Sequence, residues 1–285
     1  MAATKQHLAG RELVSAAFAL LRHDRTMVAL VFVGSLAAIV AFALVAVPLA
    51  IVAETAVPTT DNISLYVAYA LALFVATFVW QLVCGALFAA ATMRAEGGNP
   101  TIGSALAAAW ARRGPLLAWA LVSTLVGLAM LALERLGVAG MIVRVLAGVG
   151  WAVATLFAVP ILMTEGSGPW PTIQQSSRLM VEKFGTNVRS TVRLGFTFGL
   201  LMLATVALTV GAGYVVATAW DGEVNATVII ASVFTVIGAV AFVALATLYS
   251  ALGMYLRTVL YRYATGRPTP GIDASVLPTM VGTTA

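Results

Sequence analysis

Six long apolar stretches dominate the sequence and limit what the chain can fold into. A helix needs about 20 mostly apolar residues to cross the hydrocarbon core of a bilayer. Stretches of this kind run over approximately 26–53, 65–93, 115–133, 145–164, 194–220 and 226–255. Only 9% of the residues are charged, against about 25% in an average soluble domain. We therefore predict an all-α polytopic membrane protein with six transmembrane helices.

Basic residues are concentrated in alternate connecting segments. The N-terminal segment, the segments after the second and fourth spans, and the C-terminal tail hold 14 of the 16 lysines and arginines. Because basic loops stay on the cytoplasmic side, we expect a multi-pass protein of the cell membrane with both termini in the cytoplasm. This distribution accounts for the formal charge of +5, so the charge does not indicate a nucleic-acid partner.

Two of the basic segments resemble each other. The sequence "PTIGSALAAAWARRG" occupies 100–114, and "PTIQQSSRLMVEKFG" occupies 171–185. Both precede a pair of spans, and "RELVSAAFALLRHDR" at 11–25 holds the equivalent place before the first pair. Internal repeats are common in membrane folds. We therefore predict three units, each a short elbow helix followed by a transmembrane hairpin, at about 10–93, 99–164 and 170–255.

The elbow segments have the pattern of amphipathic helices. In 172–184, small and apolar residues share one helical face, and polar residues share the other. Thr172 and Gln175 have the spacing of a capping box. We expect the elbows to lie along the cytoplasmic surface of the membrane; the alternative is an ordinary connection with one helical turn. The units form a domain over 1–264, and the tail at 265–285, rich in Pro, Gly and Thr, is expected to be disordered.

The sequence contains no pattern that indicates an enzyme active site. Its two histidines, His7 and His23, lie near the N-terminus, and Cys84 is its single cysteine. It has no paired metal ligands, phosphate-binding glycine loop or nucleophile elbow. We therefore expect a non-enzymatic protein with no catalytic residue, metal or cofactor. No acidic or basic residue lies near the middle of a predicted span, where ion-coupled carriers place such groups.

Three features inside or beside the spans bear on packing. Gln81, next to Trp80, is the main strongly polar side chain within a span, and we expect an interhelical hydrogen bond there rather than a pore or substrate contact. Small residues recur at four-residue spacing, which favours close helix packing: Gly85 and Ala89, Ser123 and Gly127, Gly148 and Ala152, Gly195 and Gly199. A basic-aromatic cluster beyond the sixth span is typical of the headgroup layer: Tyr255, Arg257, Tyr261, Arg262 and Tyr263.

The fourth span ends at an acidic residue, Glu165. At the C-terminal end of a helix, a carboxylate faces the negative end of the helix dipole, and Pro160 removes a backbone donor from the last turns. We expect a compensating partner in the following elbow, so that Glu165 fixes this elbow to the bundle. The candidates are the free N–H groups at its start and the cations Arg178, Lys183, Arg189 and Arg193. The alternative is a solvated carboxylate.

One stretch resembles a known family. Trp151, Thr155, Pro160 and Glu165 stand in "WAVATLFAVPILMTEGSGP", which resembles a family of uncharacterised six-span prokaryotic integral membrane proteins. That family is similar to the membrane domains attached to some glycerophosphodiester phosphodiesterases. The resemblance implies the same helical architecture from about 10 to 264 and no activity. The phosphodiesterase chemistry would belong to a separate soluble domain outside these 285 residues.

These features favour a membrane scaffold or accessory subunit that acts through lipid and protein contacts. Its expected partners are membrane lipids and either a second copy of the chain or another membrane protein. The alternative is a transporter or channel-like protein for a lipid or a small neutral solute.

The orientation can be tested by thiol labelling of intact cells in a Cys84→Ala background. Cysteines at Thr59 and Asn225 should react with a membrane-impermeant reagent, because they lie in the connections expected outside the cell. Cysteines at Ser104 and Ser176 should not react, and labelling at either would reverse the predicted orientation.

Overall fold

The computed structural model describes residues 25–55, 63–184, 189–220 and 226–267. Within them it contains helices and no strands, which confirms the predicted class of all-α polytopic protein. The helices are α1 Arg25–Thr55, α2 Ile63–Ala95, α3 Ile102–Ala111, α4 Arg113–Glu134, α5 Gly137–Ala154, α6 Ala158–Glu165, α7 Pro169–Leu179, α8 Arg189–Ala219 and α9 Ala226–Ala264, with a π-helical turn Met180–Phe184 after α7.

Long helices occupy the six predicted spans. The fourth span is covered by α5 and α6 together, and each of the others by one helix. Four segments of the described chain are long and apolar enough to cross a membrane: Tyr69–Ala95, Arg113–Leu133, Gly137–Glu165 and Leu201–Ala219. The first and last long helices contribute shorter apolar stretches, Ala29–Val45 and Ala226–Phe242.

The apolar core lies at the end of the bundle that carries the short helices α3 and α7. Helix α2 is its centre, since it packs against α1, α3, α4, α6 and α9. Every residue in 83–91 of α2 is buried, so this part of the helix is surrounded by protein and has no face left for lipid. Toward the opposite end, large apolar side chains such as Leu44, Leu136 and Val138 are exposed, as lipid contact requires.

Two glycines that sequence analysis did not single out bring helices close together. Gly34 of α1 lies against the side chain of Val83 on α2, and Gly238 of α9 lies against Thr209 on α8. A Cβ atom at either glycine would overlap these neighbours. Among the predicted small-residue pairs, Gly85 is tightly packed, with Met163 Sδ 3.0 Å from the position of a Cβ. Small residues therefore do allow close helix contact here.

The structure corrects two expectations about basic residues. Helix α9 continues to Ala264, beyond the predicted end at 255, and carries Tyr261 and Arg262 into the protein interior, where they are 2% and 6% exposed. Both side chains are therefore enclosed by protein, and the depth of this cluster in the membrane stays a prediction. Helix α5 begins at Gly137 and not at 145, because 138–144 contain no proline and the single glycine there, Gly140, weakens a helix without ending it. Arg144 therefore lies within a candidate span and not before it.

Some predictions fall outside the described residues. The N-terminal elbow within 11–25 and the tail beyond 267 are the main ones. Both stay predictions, as does the division into three units.

The tight contact at Gly34 predicts a large effect of substitution. Gly34→Leu should destabilise the protein by about 1–3 kcal/mol, because the new side chain must displace Val83 in a filled core. Gly211→Leu is the matched control, since no atom lies within 4 Å of a Cβ at that position on α8. Thermal melting in detergent measures both; equal melting temperatures for the two variants would contradict the α1–α2 contact.

Candidate functional site

The fourth span is a broken helix. Helix α5 ends at Ala154 and α6 begins at Ala158. Pro160 lies in the first turn of α6, where a missing N–H costs least, and its ring disfavours a continuous helix through this point. The hydroxyl of Thr155 donates to Trp151 O at 2.7 Å and so caps the end of α5. Two of the residues that carry the family resemblance thus form the two sides of this break.

The break leaves a backbone N–H group without an acceptor in its own helix, and α7 supplies that acceptor. The N–H of Phe157, between α5 and α6, donates to the hydroxyl oxygen of Ser176 at 3.1 Å, and both groups are buried. A buried backbone N–H without an acceptor is costly. The hydrogen bond therefore fixes α7 at the break, and it joins the fourth span to the elbow that follows it.

Helix α7 lies near its predicted place but in a different register. It begins at Pro169, so Thr172 lies inside its first turns and does not form the predicted capping box. The Thr172 hydroxyl instead donates to Gly168 O at 2.8 Å. A capping box does occur in α3, where Thr101 and Ser104 exchange side-chain and backbone hydrogen bonds of 3.0 and 3.1 Å.

The buried stripe of α7 is partly polar. Thr172, Ser176 and Met180 recur at four-residue spacing and are buried against the bundle, while Gln174 and Arg178 are exposed. A cysteine at Ser176 would therefore be shielded by protein, and Gln174 is the better position on α7 for the labelling experiment.

Glu165 contacts the elbow through a residue outside the expected set, and the side chains of Lys183, Arg189 and Arg193 lie outside the described part of the chain. Gln175 Nε2 of α7 donates to Glu165 Oε1 at 2.6 Å. Arg112, which sequence analysis did not consider, lies at the end of α6 and donates to Thr164 O at 3.4 Å. Its cation complements the negative end of the helix dipole beside Glu165. Gly166 has a positive φ of 67°, and a Cβ there would meet the Arg112 guanidinium.

Arg178 does not reach Glu165. It forms an exposed pair with Glu182 one turn later, with 2.8 Å between Arg178 Nε and Glu182 Oε1. A pair of this kind contributes only about 0.3–0.5 kcal/mol.

Tyr261 connects α9 to the same region. Its ring lies between Phe88 of α2 and Phe157, with both ring-centroid distances 6.2 Å. Its hydroxyl is 2.9 Å from Thr164 Oγ1. Because the Thr164 hydroxyl already donates to Pro160 O at 2.8 Å, the Tyr261 hydroxyl is the donor. Burial raises the pKa of this phenol, so it keeps the proton that the bond needs at neutral pH.

The next residue on α9 also binds across the bundle. The guanidinium of Arg262 lies 3.4 Å from Glu96 Oε1, just beyond the end of α2. Together with the Tyr261 contact, this pair joins the C-terminal end of α9 to α2 and α6.

Trp151 and Gln81 lie deeper in the bundle. Trp151 on α5 stacks on Trp119 of α4, with ring centroids 5.7 Å apart and planes inclined by 7°. Gln81 is half-buried on α2. The described residues show no hydrogen bond to its side chain, so the interhelical bond stays a prediction.

The contacts around the break involve groups whose partners sequence analysis did not predict: the Ser176, Tyr261 and Thr164 hydroxyls and the Arg112 guanidinium. Ser176 lies in a segment that sequence analysis assigned to the membrane surface, and nothing in the sequence indicates that it contacts a distant residue. A clue was available in Pro160, since a proline inside a span predicts a break and freed backbone groups that need partners.

The fold and this site define an all-α polytopic membrane protein whose broken fourth helix is fixed to a short surface helix. A model of the family of unknown function DUF6159 matches residues 61–269, and the chain belongs to this family. No curated protein and no solved structure matches it. These comparisons give no support to a link with glycerophosphodiester phosphodiesterases.

The contact between Ser176 and Phe157 predicts a stability effect. Ser176→Ala removes the acceptor of a buried N–H and should cost about 1–3 kcal/mol. Limited proteolysis in membranes should then cut the α7 segment faster. Ser177→Ala, on the half-buried side of the same helix, should behave like the parent. If Ser176→Ala melts and is cleaved like Ser177→Ala, the hydrogen bond does not hold α7 in place.

Proposed function

We propose that this protein is a non-enzymatic membrane scaffold or accessory subunit that uses α3 and α7 as its contact surface. The observation that carries the proposal is the two-sided character of these helices. Ala105 and Ala109 of α3, and Ser176 of α7, are buried against the packed end of the bundle. The outer faces expose Trp110 and Trp170, which are 55% and 69% exposed. Large exposed aromatic side chains on a rigid support favour contact with a partner or with headgroups.

The proposed surface faces the cytoplasm and lies along the membrane. In support, Arg94, Arg112, Arg113 and Arg178 belong to the segments at this end of the bundle, as the distribution of basic residues in membrane proteins requires. The Arg113 guanidinium lies 5.7 Å from the centroid of the Trp110 ring. A cation beside an amphipathic ring suits the headgroup layer.

The positions of α3 and α7 in the chain support the proposed internal repeat, but the way in which each helix begins does not. Helices α3 and α7 each precede a pair of spans. However, the Pro-Thr-Ile sequence begins α3 at its N-cap, whereas its second copy lies inside the first turns of α7. The shared feature is a short docked helix, and its local capping differs between the copies.

Photo-crosslinking in cells tests the scaffold role. A photoreactive residue at Trp170 or Arg178, on the outer face of α7, should give a discrete protein adduct. The same residue at Leu136 is the matched control, since Leu136 is exposed at the opposite end of the bundle. Adducts with lipid alone at 170 and 178, or the same protein adduct at all three positions, would contradict the proposal.

The broken fourth helix favours a second candidate, a transporter for a lipid or a small neutral solute. Discontinuous transmembrane helices line the substrate sites of many transporters. Here, however, the N–H of Phe157 at the break is bound by Ser176, which makes the break a structural joint.

A lipid-flipping assay separates the two candidates. Proteoliposomes that contain a fluorescent phospholipid are treated with dithionite, which bleaches the outer leaflet only. A scaffold should leave the inner-leaflet label intact, as in vesicles without protein. Bleaching of the inner leaflet in the presence of the protein would favour the lipid transporter.

A further inference from the structure

A cleft lies between α4 and α5, away from the surface helices. It has a volume of about 260 Å³ and is lined by Ser123, Val126, Gly127 and Met130 of α4 and by Arg144, Gly148 and Trp151 of α5. The two ends of the cleft are lined by different kinds of side chain. Arg144 and Trp151 are separated by about 10 Å along the α5 axis at ~1.5 Å per residue. One end thus carries a cation and the other an aromatic ring that is held by stacking on Trp119.

Two glycines make room for the cleft. Gly127 and Gly148 have no atom within 4 Å of the position of a Cβ. This differs from Gly85 and Gly34, where a Cβ would meet neighbouring side chains. The sequence interpretation assigned these glycines to close helix packing. In the structure they instead leave space between the two helices.

The cation of the cleft lies in an apolar surface. Around Arg144, α5 exposes seven large apolar residues, each half or more exposed: Val138, Met141, Ile142, Val143, Val145, Leu146 and Val149. The whole helix belongs to a candidate span. An arginine in such a position is costly unless it faces a polar partner or a cavity, and it commonly marks a functional site.

We propose that this cleft binds one anionic phospholipid, with its phosphate on Arg144 and an acyl chain over Gly127 and Gly148 toward Trp151. A guanidinium has five N–H donors, so a bidentate contact with phosphate leaves donors for contacts within the protein.

A phospholipid suits this cleft better than a protein partner. A lipid brings an anionic group and a hydrocarbon chain together, which matches the cation and the glycine-lined floor. A protein partner would have to place an acidic side chain within its own span, and such residues are rare and costly there. The proposal concerns a different surface from α3 and α7, and it does not depend on the scaffold role.

Native mass spectrometry of the full chain in detergent tests the proposal, with phosphatidylglycerol, phosphatidylcholine or inorganic phosphate added. The parent should retain one phosphatidylglycerol in preference to phosphatidylcholine, and millimolar inorganic phosphate should not displace it. Arg144→Gln should weaken retention about fivefold, as expected for one basic residue beside an anionic lipid. Gly148→Leu should weaken it at least as much by filling the cleft while leaving the charge in place.

Two variants serve as matched controls. Arg135→Gln removes an exposed cation outside the cleft, and Gly150→Leu adds the same side chain to α5 at an exposed glycine with open space around it. Both should retain the lipid like the parent, and all variants should melt within a few degrees of it. Equal loss in the controls, equal retention of phosphatidylcholine, or displacement by phosphate would overturn the proposal. So would a dimer that Gly148→Leu disrupts, since the cleft would then be a contact between copies.

Discussion

The hydrogen bond between the Phe157 N–H and the Ser176 hydroxyl is the contact on which the packed end of the bundle depends. A proline in the fourth span disfavours a continuous helix, and a broken helix inside a membrane must find partners for the backbone groups it frees. Ser176 supplies one of those partners from an element that follows in the chain. The break and the docking of α7 are therefore coupled, because the same hydrogen bond takes part in both.

The polar contacts around this bond form a connected set. Thr164 accepts from Tyr261 and donates to Pro160 O, and Arg112 donates to Thr164 O. These groups come from α6, α9 and the junction of α3 and α4, so hydrogen bonds join four elements within a core that is otherwise apolar. In a low-dielectric interior, satisfied networks of this kind specify one arrangement of helices more strictly than apolar packing does. The hydrophobic residues of α2 supply the bulk of the core, and the polar contacts determine how the helices are arranged around it.

The spans were predictable because length and hydropathy depend only on local sequence, and the helices of the structure fall on all six. The presence of α3 and α7 was also predictable, as was a contact between Glu165 and the second of them. The identity of that contact was not, because Pro169 shifts the start of α7 and brings Gln175 to Glu165. Tyr261 and Arg144 were misplaced for a similar reason. Helix ends depend on capping and packing, and a change of a few residues moves a side chain from the membrane boundary into the core or the span.

The uneven distribution of packing along the bundle has a mechanical consequence. Buried residues are concentrated at the end of the bundle that carries α3 and α7, whereas the stretch Leu201–Ala219 of α8 has no buried residue. A tilt of the helices relative to one another about the packed end would therefore leave its polar contacts in place. Tilt is the usual response of a span to a bilayer thinner than its apolar length. With such a tilt, one face of the protein would stay rigid while its far end followed the thickness of the membrane.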